Sequence, residues 1–148
     1  MSWTWDEAWS VGVPELDDDH RKIYGVLDAL SAKYLSNPND VSILDSLAEL
    51  TDIIEEHFSH EEQLMYRMGL SNADQHFKNH FEALRVLSVM LFNYEKNNHA
   101  ITKDTLDLMG VWMQEHIKYF DTQLAHAIAS SGGHRHIPSG ECLTTLAY

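Results

Sequence analysis

The stretch Glu55–Met65, "EEHFSHEEQLM", places six ionisable side chains within eight residues and then turns apolar. Upstream of it, Ile43, Leu47, Leu50 and Ile54 recur every three or four residues, and the same stripe runs on through His57, Glu61 and Leu64/Met65. That period predicts a helix with this stripe facing a core. His57 and Glu61 are four apart, which separates them by only about 40° around a helix. Glu55, Glu56, His60 and Glu62 fall on the other side and read as a solvated face, with Glu62 in reach of Tyr66 or the helix flank. An imidazole and a carboxylate on a core stripe need partners, because such groups buried alone cost on the order of several kcal/mol.

Three other segments repeat the pattern. The first runs from about Pro14 to Leu35, with Pro14 suited to a first turn and Glu15, Asp17, Asp18 and Asp19 suited to its positive end. Its stripe is His20, Ile23/Tyr24, Leu27, Leu30 and Tyr34, and "SNPND" then breaks it. The second, from a cap at Asp40 to a stop at Gly69, contains the opening stretch. The third starts at "SNAD", where Ser71 and Asp74 resemble a capping box, and runs Ala73, His76, His80, Leu84, Leu87, Leu91, Tyr94. The fourth extends from Thr102 to about Ser130 through Leu106, Met109, Met113, His116, Phe120, Leu124 and Ile128. Short links between helices about 30–40 Å long predict an all-α fold, an antiparallel up-down-up-down four-helix bundle. Residues 1–130 form one domain in this reading. Its N-terminal arm, residues 1–13, carries Trp3, Trp5 and Trp9 and lies across the bundle. Residues 131–148 form an irregular C-terminal tail with Gly132, Gly133, Pro138 and Gly140.

Bulk composition narrows the function classes. A 148-residue chain with 44% apolar residues suits one globular domain. A formal charge of −13, from 23 acids and 10 bases, disfavours nucleic acid and anionic membrane surfaces as partners. No apolar run is long enough to span a membrane, and no secretory leader is visible. Cys142 is the single cysteine, which fits a reducing cytoplasm and makes an internal disulfide impossible. The chain is expected as a cytoplasmic monomer.

Every helix carries ligand-type residues on its apolar stripe: His20, then His57 and Glu61, then His76 and His80, then His116. A lone core histidine is ordinarily just hydrogen-bonded, but six such positions over four helices point to one shared metal site. Antiparallel order brings them to one level of the bundle. Asp121 follows His116 by five, about 140° round an ideal helix. We read its carboxylate as approaching from the flank, with a local π-turn as the alternative. Imidazole and carboxylate without thiolate suit iron, with zinc or manganese as alternatives. Seven ligands exceed one tetrahedral zinc, and two metals bridged by two carboxylates fit the count.

These motifs resemble the bacterial hemerythrins: "DDDH" ending at His20, "HFSHEE" with His57 and Glu61, "HFKNH" with His76 and His80, and "HIKYFD" with His116 and Asp121. The flanking "SVGVPELD", "EEQLM" and "VWMQEHI" are similar too, and the likeness spans residues 1 to about 125. The resemblance implies a non-haem di-iron centre that binds O2 reversibly, as a carrier or store and not as an enzyme. His76, His80 and His116 would hold one iron and His20 and His57 the other. Glu61 and Asp121 would bridge, with an oxo or hydroxo group between. The family often has Leu three residues before the fourth-helix His, at a position that lines its O2 pocket; the resemblance implies that role for Met113 here. Other uses of such a centre are an O2 or redox sensor working through a partner, and an oxidase or peroxide-reducing role. A ferritin-like oxidase would need ExxH on two helices, and a zincin would need HExxH, where "HEEQL" has Leu64 in the fifth place. His99, His126, His134 and His136 read as surface groups, Met65 and Met68 as packing, and Cys142 as inert.

Overall fold

The computed structural model describes residues 2–96 and 101–131. Helices α1 (Pro14–Ser36), α2 (Ile43–Met68), α3 (Ala73–Lys96) and α4 (Lys103–His116) follow a 3-10 turn at Glu7–Trp9. A π-turn at Ile117–Asp121 then joins α4 to α5 (Thr122–Ser130), so α4 and α5 together make the fourth rod of a four-helix bundle. No strand occurs among the described residues. Helix α1 packs on α2 and α4, and α2 packs on α3 and α5. His99, His134, His136, Cys142 and residues 132–148 of the tail lie outside the described residues.

The helix ends follow from local chemistry. Pro14 occupies the first turn of α1, where its missing N–H is no loss. Gly69 closes α2 at φ 61°, ψ 43°. Its amide bonds to the Tyr66 carbonyl and the Leu70 amide to the Met65 carbonyl, the paired bonds of a Schellman stop. Leu70 and Met65 also share an apolar cluster, as that motif favours. Thr102 and Thr105 cap α4 reciprocally through hydroxyl and amide. Helix α2 begins later than the sequence suggested. The Asp40 carboxylate is taken up by the Ser42 amide and hydroxyl, 2.8 and 2.7 Å away, in a turn that precedes Ile43.

The apolar core has two parts. A large one runs from Trp3 and Ile23 through Leu47, Leu50, Ile54 and Phe58 to Leu87, Leu106 and Met113. A small one at the opposite end is built on Leu16, Met65 and Leu124. The arm belongs to the large part. Trp3 is 2% exposed, and its amide donates to Asp28 Oδ1 at 2.7 Å. Asp17, expected to serve only the positive end of α1, is buried and clamps the arm: the Ser10 hydroxyl and Val11 amide donate to its two oxygens at 2.6 and 2.8 Å.

Gly110 of α4 is the seat for Trp3. A Cβ there would lie 2.2–2.4 Å from the indole ring. Gly110→Ala should therefore lower stability by about 1–3 kcal/mol through overpacking. With Trp3→Ala already in place the sign should reverse, because Ala favours a helix interior over Gly by roughly 1 kcal/mol. Urea unfolding of the two single variants and the double variant measures this, and equal penalties in both backgrounds would remove Gly110 as the seat.

Candidate metal centre

Seven ligand-type side chains meet between the two apolar clusters. Helix α1 supplies His20, α2 supplies His57 and Glu61, α3 supplies His76 and His80, and α4 supplies His116 at its last residue. All are buried, with exposures of 0–2%, and so is Asp121. Asp121 does not come in from the flank as the sequence reading preferred. The helix opens into a π-turn over Ile117–Asp121, and the Thr122 amide and hydroxyl both donate to the Ile117 carbonyl. Closing the turn on i→i+5 brings residues five apart onto one face, which is what His116 and Asp121 need.

The imidazoles all turn Nε2 inward. His116 Nε2 lies 2.9 Å from Asp121 Oδ1, and His76 Nε2 lies 3.3 Å from the same oxygen. The other oxygen, Oδ2, is 3.0 Å from His20 Nε2. Asp121 thus spans from the α3–α4 histidines to the α1 histidine. Glu61 Oε2 is 3.2 Å from His80 Nε2, 3.4 Å from His76 Nε2 and 3.6 Å from His57 Nε2. The ligand atoms fall into two sets, each within 4.8 Å of one another: Glu61, His76, His80, His116, and His20, His57, Glu61, Asp121.

A cation fits these residues on physical grounds. His57 Nε2 and Glu61 Oε1 are buried without a hydrogen-bond partner, a state that costs free energy unless something satisfies it. Burial pushes the His57 imidazole down to about 4, against the bond from Asp19, and burial with the nearby His116 and His76 pushes His80 down to about 2. Both are neutral at ordinary pH, the form a metal takes. Burial and the Asp121 charge drive Glu61 well above the usual carboxylate range. Asp121 is held well below it, despite burial, by His116, His20 and His76. Two carboxylates in one dry cluster call for positive charge, which divalent cations would supply.

The outward nitrogens reveal residues that the sequence reading misplaced. His80 Nδ1 lies 3.0 Å from Glu62 Oε1, so Glu62 is a support for a ligand and not merely part of a wet face. His116 Nδ1 lies 2.6 Å from Asn79 Oδ1. His57 Nδ1 lies 3.5 Å from Asp19 Oδ2, and His60 Nδ1 reaches the same oxygen at 3.0 Å. His60 is therefore only 33% exposed and braces Asp19. Burial works against the Asp19 charge, but the bonds from His57 and His60 hold its carboxyl well below the usual range. Acceptors at Nδ1 fix the proton there and free the Nε2 lone pair to face the cluster. The one sequence signal is adjacency: Asp19, Glu62 and Asn79 each neighbour a core-stripe residue. His20 and His76 have stacked rings instead, Trp5 at 6.2 Å and Phe120 at 4.9 Å. His126 is exposed, as expected, and Met65 is core packing. Glu62→Gln or Asn79→Ala should weaken retention of a divalent metal by about 10–100-fold. Chelator competition followed by metal analysis reads this, and unchanged retention in both would separate these contacts from metal holding.

Comparison with known proteins agrees with this arrangement. The family model "Hemerythrin HHE cation binding domain" matches residues 11–128. A myohemerythrin of Sipunculus nudus is 31% identical over 120 residues, covering 80% of this chain and 88% of the relative. A bacteriohemerythrin of Clostridium acetobutylicum is 23% identical over 120 residues, covering 76% and 91%. A crystal structure of wild-type hemerythrin superposes with a TM-score of 0.78 over 84% of this chain and 95% of that one, at 23% identity, and shares the fold. With a family model that spans the four helices and the whole histidine–carboxylate cluster, the chain belongs to the hemerythrin HHE cation binding family.

Proposed function

We propose that this chain binds O2 reversibly at a non-haem di-iron centre, as a carrier or store and not as an enzyme. The carrying observation is the convergence of five Nε2 atoms and two carboxylates in one buried cluster with orphaned atoms at His57 and Glu61. In this reading His76, His80 and His116 hold one iron, His20 and His57 the other, and Glu61 and Asp121 bridge. An iron pair supplies reversible two-electron chemistry toward O2. The His20/His57 side has one histidine fewer, which leaves room for an exogenous ligand there. No helix among the described residues is long and apolar enough to cross a membrane, and the single Cys142 suits a cytoplasmic setting.

The chain's own residues do three things for such a centre. Five neutral imidazoles with only two carboxylates keep the negative charge of the donor set low, which moderates the reducing power of ferrous iron. Phe58 lies flat on His80, with ring centroids 3.9 Å apart and planes 8° apart, and Trp112 lies on His116 at 5.0 Å and 17°. Those rings fix the imidazoles in place. Together with Met113, buried one turn before His116, they keep water from the cluster.

Metal analysis with an absorption spectrum, recorded without oxygen and then in air, tests the proposal. Two irons per chain and a visible band that comes and goes with oxygen are expected. Zinc, or a single metal, would overturn it, and rapid irreversible bleaching would transfer the centre to an oxidase. Met113 is flexible and oxidisable where Leu is neither. Met113→Leu is expected to change O2 dissociation or autoxidation in stopped-flow traces, and identical kinetics would dismiss Met113 as a pocket residue.

A further inference from the structure

Helices α3 and α4 come next to each other in the chain, yet among the described residues they make little close backbone approach. The gap between them opens into a cavity of about 370 Å3. Its floor is formed by Ile23 and Leu27 of α1, Leu50 and Ile54 of α2, and Met113 of α4. Val86 and Leu108 stand at its mouth, 48% and 67% exposed. None of the seven cluster residues lines it, although Trp112 and Met113, which flank the cluster, form part of its wall. It is also far larger than a diatomic molecule needs. An engineered apolar cavity of about 150 Å3 stays dry and takes up benzene.

We infer that this cavity binds one uncharged apolar molecule of roughly ten to fifteen carbon atoms, an alkyl chain or a small ring system. Depth selects against a partner helix: walls from all four helices place the floor in the bundle centre, where only a slender molecule reaches. The lining selects against an acid. Glu82, half exposed, stands on it paired with Arg85 at 3.0 Å, and the hydroxyl of Thr105 is committed to the cap with Thr102. A carboxylate drawn among the remaining, largely apolar side chains would lose its hydration, whereas an alcohol or a plain hydrocarbon gives up far less.

The experiment is titration of the metal-loaded full chain with the neutral fluorophore N-phenyl-1-naphthylamine, followed by competition with 1-decanol and with decanoate. Saturable binding at one site per chain is expected, displaced by decanol and at least ten-fold less effectively by decanoate. Ala83→Trp, which fills the cavity from α3, should weaken fluorophore binding ten-fold or more. Leu108→Arg, at an exposed mouth position where folding is not at stake, should weaken it several-fold. Absence of saturable binding to the unaltered chain overturns the proposal, as does unchanged affinity in both variants. Equal displacement by decanoate overturns the selection against acids. A concentration-dependent dimer abolished by Leu108→Arg would assign the seam to a second copy of the chain and also overturn it.

Discussion

The structure depends on burying five imidazoles and two carboxylates in the middle of a helical core. The cluster lies between the Leu16–Met65–Leu124 plug and the long apolar core, so water reaches it from neither end of the bundle. Polar atoms so placed must satisfy one another or a cation. That requirement fixes the register of all four rods together. Rotating any helix by one residue swings its ligands about 100° out of the cluster. Apolar packing alone tolerates repacking of like with like, so the polar cluster is the part of the core that admits a single alignment.

Charge inside the cluster is unevenly held. Asp121 takes contacts from His20, His76 and His116 and stays ionised, while Glu61 is driven toward its protonated form by its burial and then by that same charge. Without a cation the two carboxylates compete. Divalent cations held there would favour the ionised form of both and would give orphaned atoms such as His57 Nε2 and Glu61 Oε1 a partner. The outer ring of Asp19, Glu62 and Asn79 orients the imidazoles before any metal arrives, which reduces the reorganisation that binding demands.

The four apolar stripes and the i,i+4 pairs were legible in the sequence because both depend only on helical geometry. His57 with Glu61 and His76 with His80 could be placed on one face without any knowledge of neighbours. The spacing of His116 and Asp121 was not legible in the same way. A π-turn is locally unfavourable and forms here because tertiary contacts to Asp121 outweigh that cost, so the sequence admitted both a flank approach and an opened turn. The roles of His60 and Glu62 were hidden for a related reason. Both sit on the polar side of α2, and only the positions of Asp19 on α1 and His80 on α3 turn them inward. The tryptophan arm could be read as apolar, but its seat at Gly110 is a contact between distant residues with no local signature.

Helix α3 shows how unevenly the core and the cluster divide the work of holding the bundle. Its buried residues are His76, His80, Leu87 and Tyr94, whereas α2 buries nine. Phe81, Val86, Val89 and Phe92 remain on its exposed surface. Half of what α3 buries is thus imidazole aimed at the cluster, and its far half faces α4 across the open seam. Close packing of α3 comes mainly from α2. The polar cluster therefore does for α3 what apolar interdigitation does for the other helices. A helix held in this way keeps a cavity at its side without losing its place, because its anchor lies at one end, in the ligand cluster, and not along the seam.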